Sequence, residues 1–436
     1  MDDLKNKRIT VAGLGRFGGG IAAARWLVGE GARVLVTDIY PADKLADSIA
    51  QLHGLPIEYR LGEHRTADFT DTDLIVASPA IKPTNPYLQA ARAAGVPITT
   101  EIRLFVQRCP LPIVAVSGTK GKSTASKLLE LMLATRHRVW LGGNIGKSLL
   151  FDLPTMRDGQ IVLLEVSSFM LEYLGETHWA PHVGLLTMLE SDHLEWHITQ
   201  EAYLNAKLNL IRYQSAGDFA VLGESCPTAR DFAGKTPAKV IWYGVPGRPR
   251  FKLMLPGEHN QLNVQAAFAA ASLLGVDFDQ AQKAVADFPG LAHRLQLVHQ
   301  SEGVRFVDDS IATIPMAAAA ALRAFPPGKV IQIVGGHDKG LPYEPMCDAI
   351  AHQAKAALCI GEMANAIAKL TRDRHPNYPA VYECGDIATA MRQAKQLATS
   401  GDIVLLATGC SSYDQFINFE QRGQAFANAA RAEFTE

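Results

Sequence analysis

A short apolar strand, a glycine-rich turn and a helix-forming segment follow one another between residues 113 and 134. The turn reads Gly-Thr-Lys-Gly-Lys-Ser and contains Gly118, Gly121, Lys122 and Ser123. In such a turn the backbone N–H groups and the helix N-terminus face a phosphate, the lysine adds a positive charge, and the serine hydroxyl can reach Mg²⁺. The turn is shorter than the common P-loop, because its first glycine is Gly118. The pattern predicts a nucleotide-phosphate site, and a chance Gly-Lys turn is the alternative.

The length and composition favour a multidomain globular protein. A chain of 436 residues is too long for one ordinary core, so about two to four domains are expected. The net charge of −2 gives no basic field for nucleic acid. We expect neither a secretion signal nor a transmembrane segment, because the first residues are polar and no apolar run is long enough to span a bilayer. The six cysteines form no Cys-x-x-Cys pair, which argues against zinc and favours a reduced, cytoplasmic location.

Apolar strands alternate with alanine-rich helical stretches along the whole chain. This alternation is typical of α/β domains that are built on parallel sheets. We place three consecutive α/β domains at residues 1–98, 99–290 and 291–436, because each of these blocks opens with its own strand.

The first block contains another glycine turn, from Gly13 to Gly18, between a strand and a helix, and Asp38 ends the following strand. This is the dinucleotide-binding pattern of a Rossmann βαβ unit. Two interpretations are open: the turn binds NAD, or it holds the diphosphate of a UDP-sugar with Asp38 near the nucleoside. Ser78 follows a later strand, in either a ligand-facing turn or a plain strand-to-loop turn.

Polar side chains of the second block follow apolar strands. Asn144 lies in a Gly-Gly-Asn-Ile-Gly loop, and Glu165 ends the strand that begins at Ile161. A buried carboxylate needs a partner, which is either Mg²⁺ beside the phosphates or a salt bridge. His193 follows another apolar strand, and Lys207 lies on the helix after it. Taken singly, a packed histidine and a surface lysine are the alternatives.

The strands of the third block also end in polar residues. Asp309 and Ser310 close one strand, Lys339 lies in a glycine turn after another, and Ser412 follows the last. The Asp-Ser pair can hold a ribose or orient an ammonium group. A cation and a hydroxyl at strand ends can grip a carboxylate substrate. Loop residues that only improve solubility are the alternative.

Together these motifs resemble the Mur ligase family, and within it the members that add glutamate. The resemblance runs nearly end to end and rests on the following motifs: Gly-Thr-Lys-Gly-Lys-Ser-Thr, Gly-Gly-Asn-Ile-Gly, Glu-Val-Ser-Ser-Phe, Asp-His-Leu-Glu-Trp-His, Gly-Glu-His-Asn-Gln-Leu-Asn, Leu-Ala-His-Arg and Asp-Gln-Phe-Ile-Asn-Phe-Glu-Gln-Arg-Gly. It implies an α/β fold of three consecutive domains with parallel sheets. These would be a Rossmann-like UDP-binding domain, a P-loop-type ATP-binding domain and a C-terminal Rossmann-like domain that brings the amino acid.

The resemblance also implies roles for individual residues. The residues that bind ATP would be Gly118, Thr119, Lys120, Gly121, Lys122, Ser123, Thr124, Asn260, Asn263, Arg294 and Asp309. Those around the UDP-substrate would be Gly15, Arg16, Phe17, Asp38, Ser78, Asn144 and Ser167. Those around glutamate would be Thr313, Lys339, Ser412 and Phe419. The ligands of two Mg²⁺ ions would be Ser123, Glu165, His193 and, if it is carbamylated, Lys207. The catalytic residues would be Lys122, Asn144, His193 and Lys207.

The implied reaction joins glutamate to UDP-N-acetylmuramoyl-L-alanine in the synthesis of a peptidoglycan precursor, with ATP and Mg²⁺ as cofactors. The free carboxylate of the UDP-substrate attacks the γ-phosphate of ATP, and the amine of glutamate then attacks the acyl phosphate. Lys122 and Mg²⁺ would neutralise the charge that develops on the transferring phosphoryl group. We expect a cytoplasmic monomer that acts on small molecules and binds neither nucleic acid nor a membrane.

At three places the chain departs from the pattern of the members that add D-glutamate. Ile311 stands where a lysine is usual, Met170 where a glutamine is usual, and His337-Asp338 where the lysine turn usually reads Asp-Gly. These changes favour a subfamily that adds L-glutamate. The alternatives are D-glutamate, or another acceptor in an enzyme of the folylpolyglutamate synthase kind. A nicotinamide-dependent protein or a non-catalytic nucleotide sensor is the other class of function.

Overall fold

The computed structural model describes residues 4–434 apart from six positions within that range: Arg16, Phe17, Ser191, Pro256, Lys339 and Pro379. Three of the site residues predicted from the sequence, Arg16, Phe17 and Lys339, therefore lie outside the described residues.

The N-terminal part forms a parallel sheet of five strands in the order β3-β2-β1-β4-β5. Its strands are β1 (Arg8–Ala12), β2 (Arg33–Asp38), β3 (Ile57–Leu61), β4 (Leu74–Ala77) and β5 (Ile98–Thr99). Its helices are α1 (Gly19–Gly29), α2 (Ala46–Ala50), α3 (Thr66–Thr70), α4 (Pro86–Ala93) and α5 (Glu101–Val106), with a 3₁₀ turn at Ala42–Leu45. Each named pair of strands runs parallel, as crossover helices require.

The middle part forms a parallel sheet of six strands in the order β11-β10-β9-β6-β8-β7. Its strands are β6 (Ile113–Ser117), β7 (Val139–Gly143), β8 (Ile161–Glu165), β9 (Val183–Leu186), β10 (Phe219–Gly223) and β11 (Lys239–Tyr243). Its helices are α6 (Lys122–Leu133), α7 (Ser168–Gly175), α8 (Leu194–His197), α9 (Gln200–Arg212), α10 (Pro227–Ala233), α11 (Glu258–Leu273) and α12 (Phe278–Val285), with a 3₁₀ helix at Leu150–Thr155.

The C-terminal part forms another six-stranded sheet, in the order β12-β13-β17-β14-β15-β16. Its strands are β12 (Gln296–Ser301), β13 (Val304–Asp308), β14 (Val330–Gly335), β15 (Ala354–Ile360), β16 (Val381–Gly385) and β17 (Ile403–Leu406). Its helices are α13 (Pro315–Arg323), α14 (Glu344–Gln353), α15 (Ala364–Arg374), α16 (Ile387–Leu397) and α17 (Phe419–Glu433). The edge strand β12 pairs antiparallel with β13 through a tight turn, so this sheet departs from the purely parallel expectation.

Three α/β domains with mainly parallel sheets are thus present, as the sequence predicted. The chain divides into two compact units, residues 1–288 and 289–436, and the first unit contains both the N-terminal and the middle sheet. Because β5 pairs with β4, the first sheet extends to residue 99. The domain boundaries drawn from the sequence, after residues 98 and 290, remain predictions.

The central strands of the middle sheet explain where its polar residues collect. Every residue of β6 and β8 is buried, which gives the continuous apolar runs typical of a sheet covered on both faces. In the strand register Val116 lies beside Glu165, and Ser117 lies beside Leu186. The carboxyl ends of β6, β8 and β9 therefore meet at one edge, which is where open α/β sheets bind ligands.

Candidate active site

The turn after β6 has the geometry of a phosphate loop. Gly118 and Gly121 have φ angles of 142° and 87°, which residues other than glycine rarely adopt. Helix α6 begins directly after Gly121, and no side chain caps its start. The backbone N–H groups of its first turn, including those of Ser123 and Thr124, are therefore available to an anion.

Two polar side chains lie tightly against these glycines. A Cβ atom on Gly118 would lie 2.0 Å from the hydroxyl oxygen of Thr187, and one on Gly121 would lie 2.3 Å from Oδ1 of Asn263. The Thr187 hydroxyl in turn donates to the carbonyl of Lys120 at 2.7 Å. The loop is therefore shaped by close packing from the carboxyl end of β9 and from α11.

Two lysine side chains converge on the inside of the loop. Lys122 Nζ donates to the carbonyls of Gly118 and Thr119 at 3.0 and 2.9 Å. Lys207, which is 1% exposed on α9, donates to the Gly118 carbonyl at 2.7 Å and to the Ser117 hydroxyl at 3.1 Å. The alternative of a surface lysine is thereby excluded for Lys207.

Burial places the pKa of Lys207 well below that of an ordinary lysine, and the neighbouring charge of Lys122 lowers it further. The carboxylates of Asp192 and Glu165 act in the opposite direction and do not cancel these effects. Lys207 is therefore an amine that gives up its proton more easily than a solvated lysine does.

Glu165 is fully buried at the end of β8 and is only half satisfied. Its Oε1 accepts a hydrogen bond from Asn144 Nδ2 at 2.8 Å, and its Oε2 has no hydrogen-bond partner among the described residues. Asn144 is held in place because its backbone N–H donates to the Glu165 carbonyl at 2.7 Å. A buried carboxylate oxygen without a donor fits a hard cation such as Mg²⁺.

Acidic, histidine and cysteine side chains of the described residues do not by themselves complete a metal site. Within the described part of the chain, no group of three or more His, Cys, Asp and Glu side chains could hold a metal ion. A cation beside Glu165 would therefore need further ligands, such as hydroxyl, phosphate or water oxygens.

The segment after β9 borders the other side of the loop. Thr119 is fixed by Glu190, whose backbone N–H donates to the Thr119 hydroxyl at 2.9 Å, and the same hydroxyl lies 2.9 Å from Tyr203 Oη. Lys120 pairs with the Glu190 carboxylate at 2.9 Å. His193 adopts a positive φ of 52°, and its ring centroid lies 4.9 Å from that of Phe169.

The two asparagines predicted to contact the nucleotide lie on α11, which packs along α6. Asn263 touches Gly121 as described above, and its Nδ2 lies 3.4 Å from Oδ1 of Asn260. Asn260 is 9% exposed. Both amides therefore belong to the same edge of the middle sheet as the phosphate loop.

The N-terminal glycine turn is organised by a carboxylate. Asp38 is 4% exposed, and its two oxygens accept from the backbone N–H groups of Gly15 at 3.1 Å and Tyr40 at 2.9 Å. Ser78 lies against this turn, because a Cβ atom on Gly13 would lie 2.9 Å from Ser78 Cβ. The carboxylate thus holds the turn together, in addition to any contact with a nucleoside.

Ser167 has a local structural role. Its hydroxyl caps α7 by accepting from the backbone N–H of Met170 at 3.2 Å. Helix α7 therefore starts immediately after the strand that carries Glu165.

In the C-terminal unit, Asp309 and Thr313 follow β13, and Ser412 follows β17. Phe419 begins α17, and Arg294 precedes β12. Burial raises the pKa of Asp309 to about 6, while Arg294 opposes that shift, and Asp309 Oδ1 accepts from the Leu295 backbone N–H at 3.0 Å. Ser412 is 2% exposed, and Thr313 and Phe419 are partly buried.

Arg422 ties these loops together, although it was not among the predicted site residues. It is 1% exposed and donates to Ser310 Oγ at 3.0 Å, to the Ser310 carbonyl at 2.9 Å and to the Cys410 carbonyl at 3.1 Å. Its place inside the Asp-Gln-Phe-Ile-Asn-Phe-Glu-Gln-Arg-Gly motif was the available signal.

The structure thus brings together most of the residues predicted for the middle domain: Lys122, Asn144, Glu165, His193 and Lys207. Sequence reasoning missed the residues that pack against the loop, Thr187, Glu190 and Tyr203. The hydroxyl of Thr187, directly after the apolar strand β9, was the clearest signal in the sequence.

Comparison with known proteins decides the family. The Mur ligase MurD-like N-terminal domain matches residues 7–100, the Mur ligase middle domain residues 116–250, and the Mur ligase glutamate ligase domain residues 293–410. A relative from Roseiflexus sp. (strain RS-1) is 40% identical over 97% of this chain and 98% of its own. The chain belongs to the Mur ligase family. It is an ATP-dependent, peptide-bond-forming Mur ligase of peptidoglycan synthesis.

That Roseiflexus relative is named UDP-N-acetylmuramoylalanine–D-glutamate ligase. A relative from Anaeromyxobacter dehalogenans (strain 2CP-C) bears the same name and is 38% identical over 98% of each chain. This Mur ligase therefore matches relatives of its family along their whole length.

Solved structures agree with the fold. The UDP-N-acetylmuramate-alanine ligase MurC of Thermotoga maritima superposes with a TM-score of 0.60 at 19% identity, over 98% of this chain and 100% of its own. A MurF ligase of the same organism, solved in complex with ADP, gives 0.55 at 16% identity, over 99% and 96%. No helix in the described part of this Mur ligase is long and apolar enough to cross a membrane.

Proposed function

We propose that the chain joins D-glutamate to UDP-N-acetylmuramoyl-L-alanine (UDP-MurNAc-L-Ala) at the expense of ATP. The observation that carries this proposal is the 40% identity, over 97% of the chain, to a relative named for that ligation. The names of the relatives favour D-glutamate, so this proposal replaces the preference for L-glutamate that Ile311, Met170 and the His337-Asp338 turn suggested.

The phosphate loop supports the first step, in which the carboxylate of the UDP-substrate attacks the γ-phosphate of ATP. The uncapped start of α6 would bind phosphate oxygens through its N–H groups. Lys122 would turn from the Gly118 and Thr119 carbonyls to the phosphates and neutralise the charge that develops during transfer. Asn144, beside Glu165, would orient the acyl group.

Glu165 and Ser123 fit one magnesium site, and His193 fits a ligand of a second. The Oε2 of Glu165, for which the described residues offer no hydrogen-bond partner, supports the first assignment. When bound, Mg²⁺ would offset the negative charge of the ATP phosphates during phosphoryl transfer.

Lys207 fits a lysine that is modified by CO₂. Its lowered pKa keeps more of the side chain in the neutral form that can act as a nucleophile. The neutral amine would attack CO₂, form an N–C bond and release a proton to water. The carbamate so formed carries a negative charge and could join the magnesium site.

The remaining predicted residues would position the three substrates. Gly15 and Asp38 belong to the turn that would hold the UDP group. Asn260 and Asn263 would contact the nucleotide of ATP beside the phosphate loop.

The C-terminal residues would serve ATP and glutamate. Arg294 and Asp309 would contact ATP. Glutamate would contact the following residues: Thr313, Lys339, Ser412 and Phe419. Its amine attacks the acyl phosphate, forms the amide bond and displaces phosphate. We also propose that the enzyme works as a cytoplasmic monomer, which the six free cysteines support with respect to location.

The test is phosphate release from ATP with UDP-MurNAc-L-Ala and Mg²⁺, with D-glutamate or L-glutamate added in parallel and the product analysed by mass. We expect release and a glutamate adduct with D-glutamate. Release with L-glutamate alone would return the enantiomer to the expectation from the sequence, and release with neither would overturn the proposed acceptor. The Lys122→Ala variant serves as the blank.

A further inference from the structure

We propose that Trp196 is a specificity-determining residue that packs against the acyl arm of the UDP-substrate, between its sugar and its reacting carboxylate. The inference rests on the proposed function, because it names a contact for that substrate. It is carried by the position of the indole between the phosphate loop and the N-terminal glycine turn, both of which belong to the same compact unit.

A chain of aromatic rings connects Trp196 to the phosphate loop. Its ring centroid lies 4.5 Å from that of His197, and the His197 ring lies 5.4 Å from that of Tyr203. The Tyr203 hydroxyl reaches the Thr119 hydroxyl within the loop at 2.9 Å. The indole is therefore only two rings away from the residues that would cradle ATP.

A second aromatic contact links Trp196 to the acidic edge of the middle sheet. Phe169, in the first turn of α7, lies 4.8 Å from the Trp196 ring and 4.9 Å from the His193 ring. Helix α7 follows directly on the strand that ends at Glu165. Phe169 thus holds Trp196 beside the imidazole proposed as a metal ligand.

The polar end of the indole points to the N-terminal domain. Trp196 Nε1 donates to the carbonyl of Ala80 at 3.2 Å. Ala80 lies in the turn that Ser78 begins, where the Ile81 N–H donates to the Ser78 carbonyl at 2.9 Å. Ser78 touches Gly13 of the glycine turn, and Tyr173 Oη anchors the Ile81 carbonyl at 2.6 Å.

The chemistry of the ligand follows from this position. A substrate that is held by its diphosphate at the N-terminal turn, and that reacts at the phosphate loop, must extend past the Ala80 turn and His193. Trp196 is only partly buried there, and its N–H group is already bonded. Its remaining surface is the apolar ring, which suits C–H groups such as the methyl groups of a lactoyl or alanyl unit. The indole would therefore pack against a small apolar group close to the reacting carboxylate.

The experiment compares UDP-MurNAc-L-Ala with its glycyl analogue, which lacks the methyl group, in the wild type and in Trp196→Ala and Trp196→Phe. We expect Trp196→Ala to raise the KM for UDP-MurNAc-L-Ala about tenfold and to reduce the preference for the alanyl over the glycyl substrate to about twofold, because a methyl contact is worth about 10-fold or more. The KM for ATP should change less than about twofold. Trp196→Phe should keep most of the preference.

Intrinsic fluorescence gives a readout that a merely structural role would not change. The chain has five tryptophans, and UDP-MurNAc-L-Ala added without ATP should alter the emission of the wild type but not of Trp196→Phe. Trp140→Phe is the matched control, because Trp140 is also partly buried and donates through its indole N–H, to Gln160 at 2.7 Å. It lies near the amino end of the edge strand β7, away from the phosphate loop.

The outcomes separate this inference from the proposed function. If the wild type discriminates alanyl from glycyl substrate and Trp196→Ala does so equally well, the role of Trp196 is wrong and the ligase activity stands. A fluorescence response that persists in Trp196→Phe would contradict the contact as well. If the wild type neither turns over nor responds to UDP-MurNAc-L-Ala, the proposed function itself fails.

Discussion

The two glycine turns of this chain share a backbone geometry and differ in the side chains packed around them. Gly18 and Gly121 both precede a helix, with φ angles of 90° and 87°, and neither helix start has a side-chain cap. The N-terminal turn is organised by the buried carboxylate of Asp38, whereas the middle turn gathers the side-chain nitrogens of Lys122 and Lys207.

In both turns the helix start can bind an anion. The charges around each turn then determine which anion suits it and whether that anion reacts. The charge of Lys122, beside a carboxylate oxygen that no described residue bonds, suits a polyphosphate with its metal ion and a transferring phosphoryl group. The Asp38 carboxylate braces the first turn through backbone N–H groups and adds a negative charge there, which does not favour phosphoryl transfer. The sequence pattern of the first turn left NAD open, and the family resolves that choice in favour of a ligase.

The largest effect should come from removing Lys122 of the middle turn. Lys122→Ala should lower kcat/KM about 10³-fold, because it removes the positive charge that we propose neutralises the transferring phosphoryl group. Steady-state phosphate release measures the effect, and binding of UDP-MurNAc-L-Ala should persist. The control is Lys127→Ala on the same helix, where the lysine pairs with Glu130 at 2.6 Å. Comparable activities of the two variants would contradict the charge argument.

Lys207→Ala should lower activity about 10²- to 10³-fold, because it removes a proposed magnesium ligand and the packing behind Gly118. Added formate should restore part of the activity by supplying a carboxylate. Lys207→Arg should not recover activity, because a guanidinium stays protonated and cannot form the carbamate.

The pH dependence of Lys207 has a definite sign. Because its pKa is lowered, the neutral amine persists to lower pH than in an ordinary lysine, and activity should fall as the pH drops through that lowered pKa. Activity that survives removal of CO₂ and is restored by arginine at position 207 would rule out carbamylation.

A smaller effect, on thermal stability, should distinguish alanine substitutions of Gly18 and Gly121, the two glycines that precede the helices. Alanine at either position costs about 1–2 kcal/mol for the left-handed backbone. At Gly121 the new Cβ would also meet Asn263 at 2.3 Å, whereas at Gly18 it meets nothing within 4 Å among the described residues. Thermal unfolding should therefore show a lower Tm for Gly121→Ala than for Gly18→Ala, with a raised KM for ATP only in the former. Equal shifts would mean that the contact with Asn263 is unimportant.

The smallest effect should come from the carboxylate of the N-terminal turn. Asp38→Asn keeps one acceptor oxygen but loses one of the two bonds to Gly15 and Tyr40. The KM for UDP-MurNAc-L-Ala should rise about threefold to tenfold, as the loss of one hydrogen bond predicts. The KM for ATP serves as the internal control. A change of similar size in that KM would contradict the proposal that the N-terminal turn serves the UDP-substrate and the middle turn serves ATP.

The sequence was most informative where a function depends on local order along the chain. The strand, turn and helix around Lys122 and the carboxylate that ends β8 were predicted, because strand ends of a parallel sheet meet at one edge. The sites of Thr187, Trp196 and Arg422 were not, because each depends on contacts between segments far apart in sequence. The antiparallel β12 was also missed, since its short turn at Glu302 and Gly303 breaks the alternation of strand and helix.

The most direct test of the account follows an oxygen atom through the reaction. UDP-MurNAc-L-Ala labelled with ¹⁸O in both oxygens of its free carboxylate is incubated with ATP, Mg²⁺ and D-glutamate, and the released phosphate is analysed by mass. Attack of that carboxylate on the γ-phosphate, followed by displacement of phosphate by the glutamate amine, predicts one ¹⁸O atom in each phosphate. Unlabelled phosphate formed together with the glutamate adduct would contradict the acyl-phosphate route and the role of the phosphate loop in it.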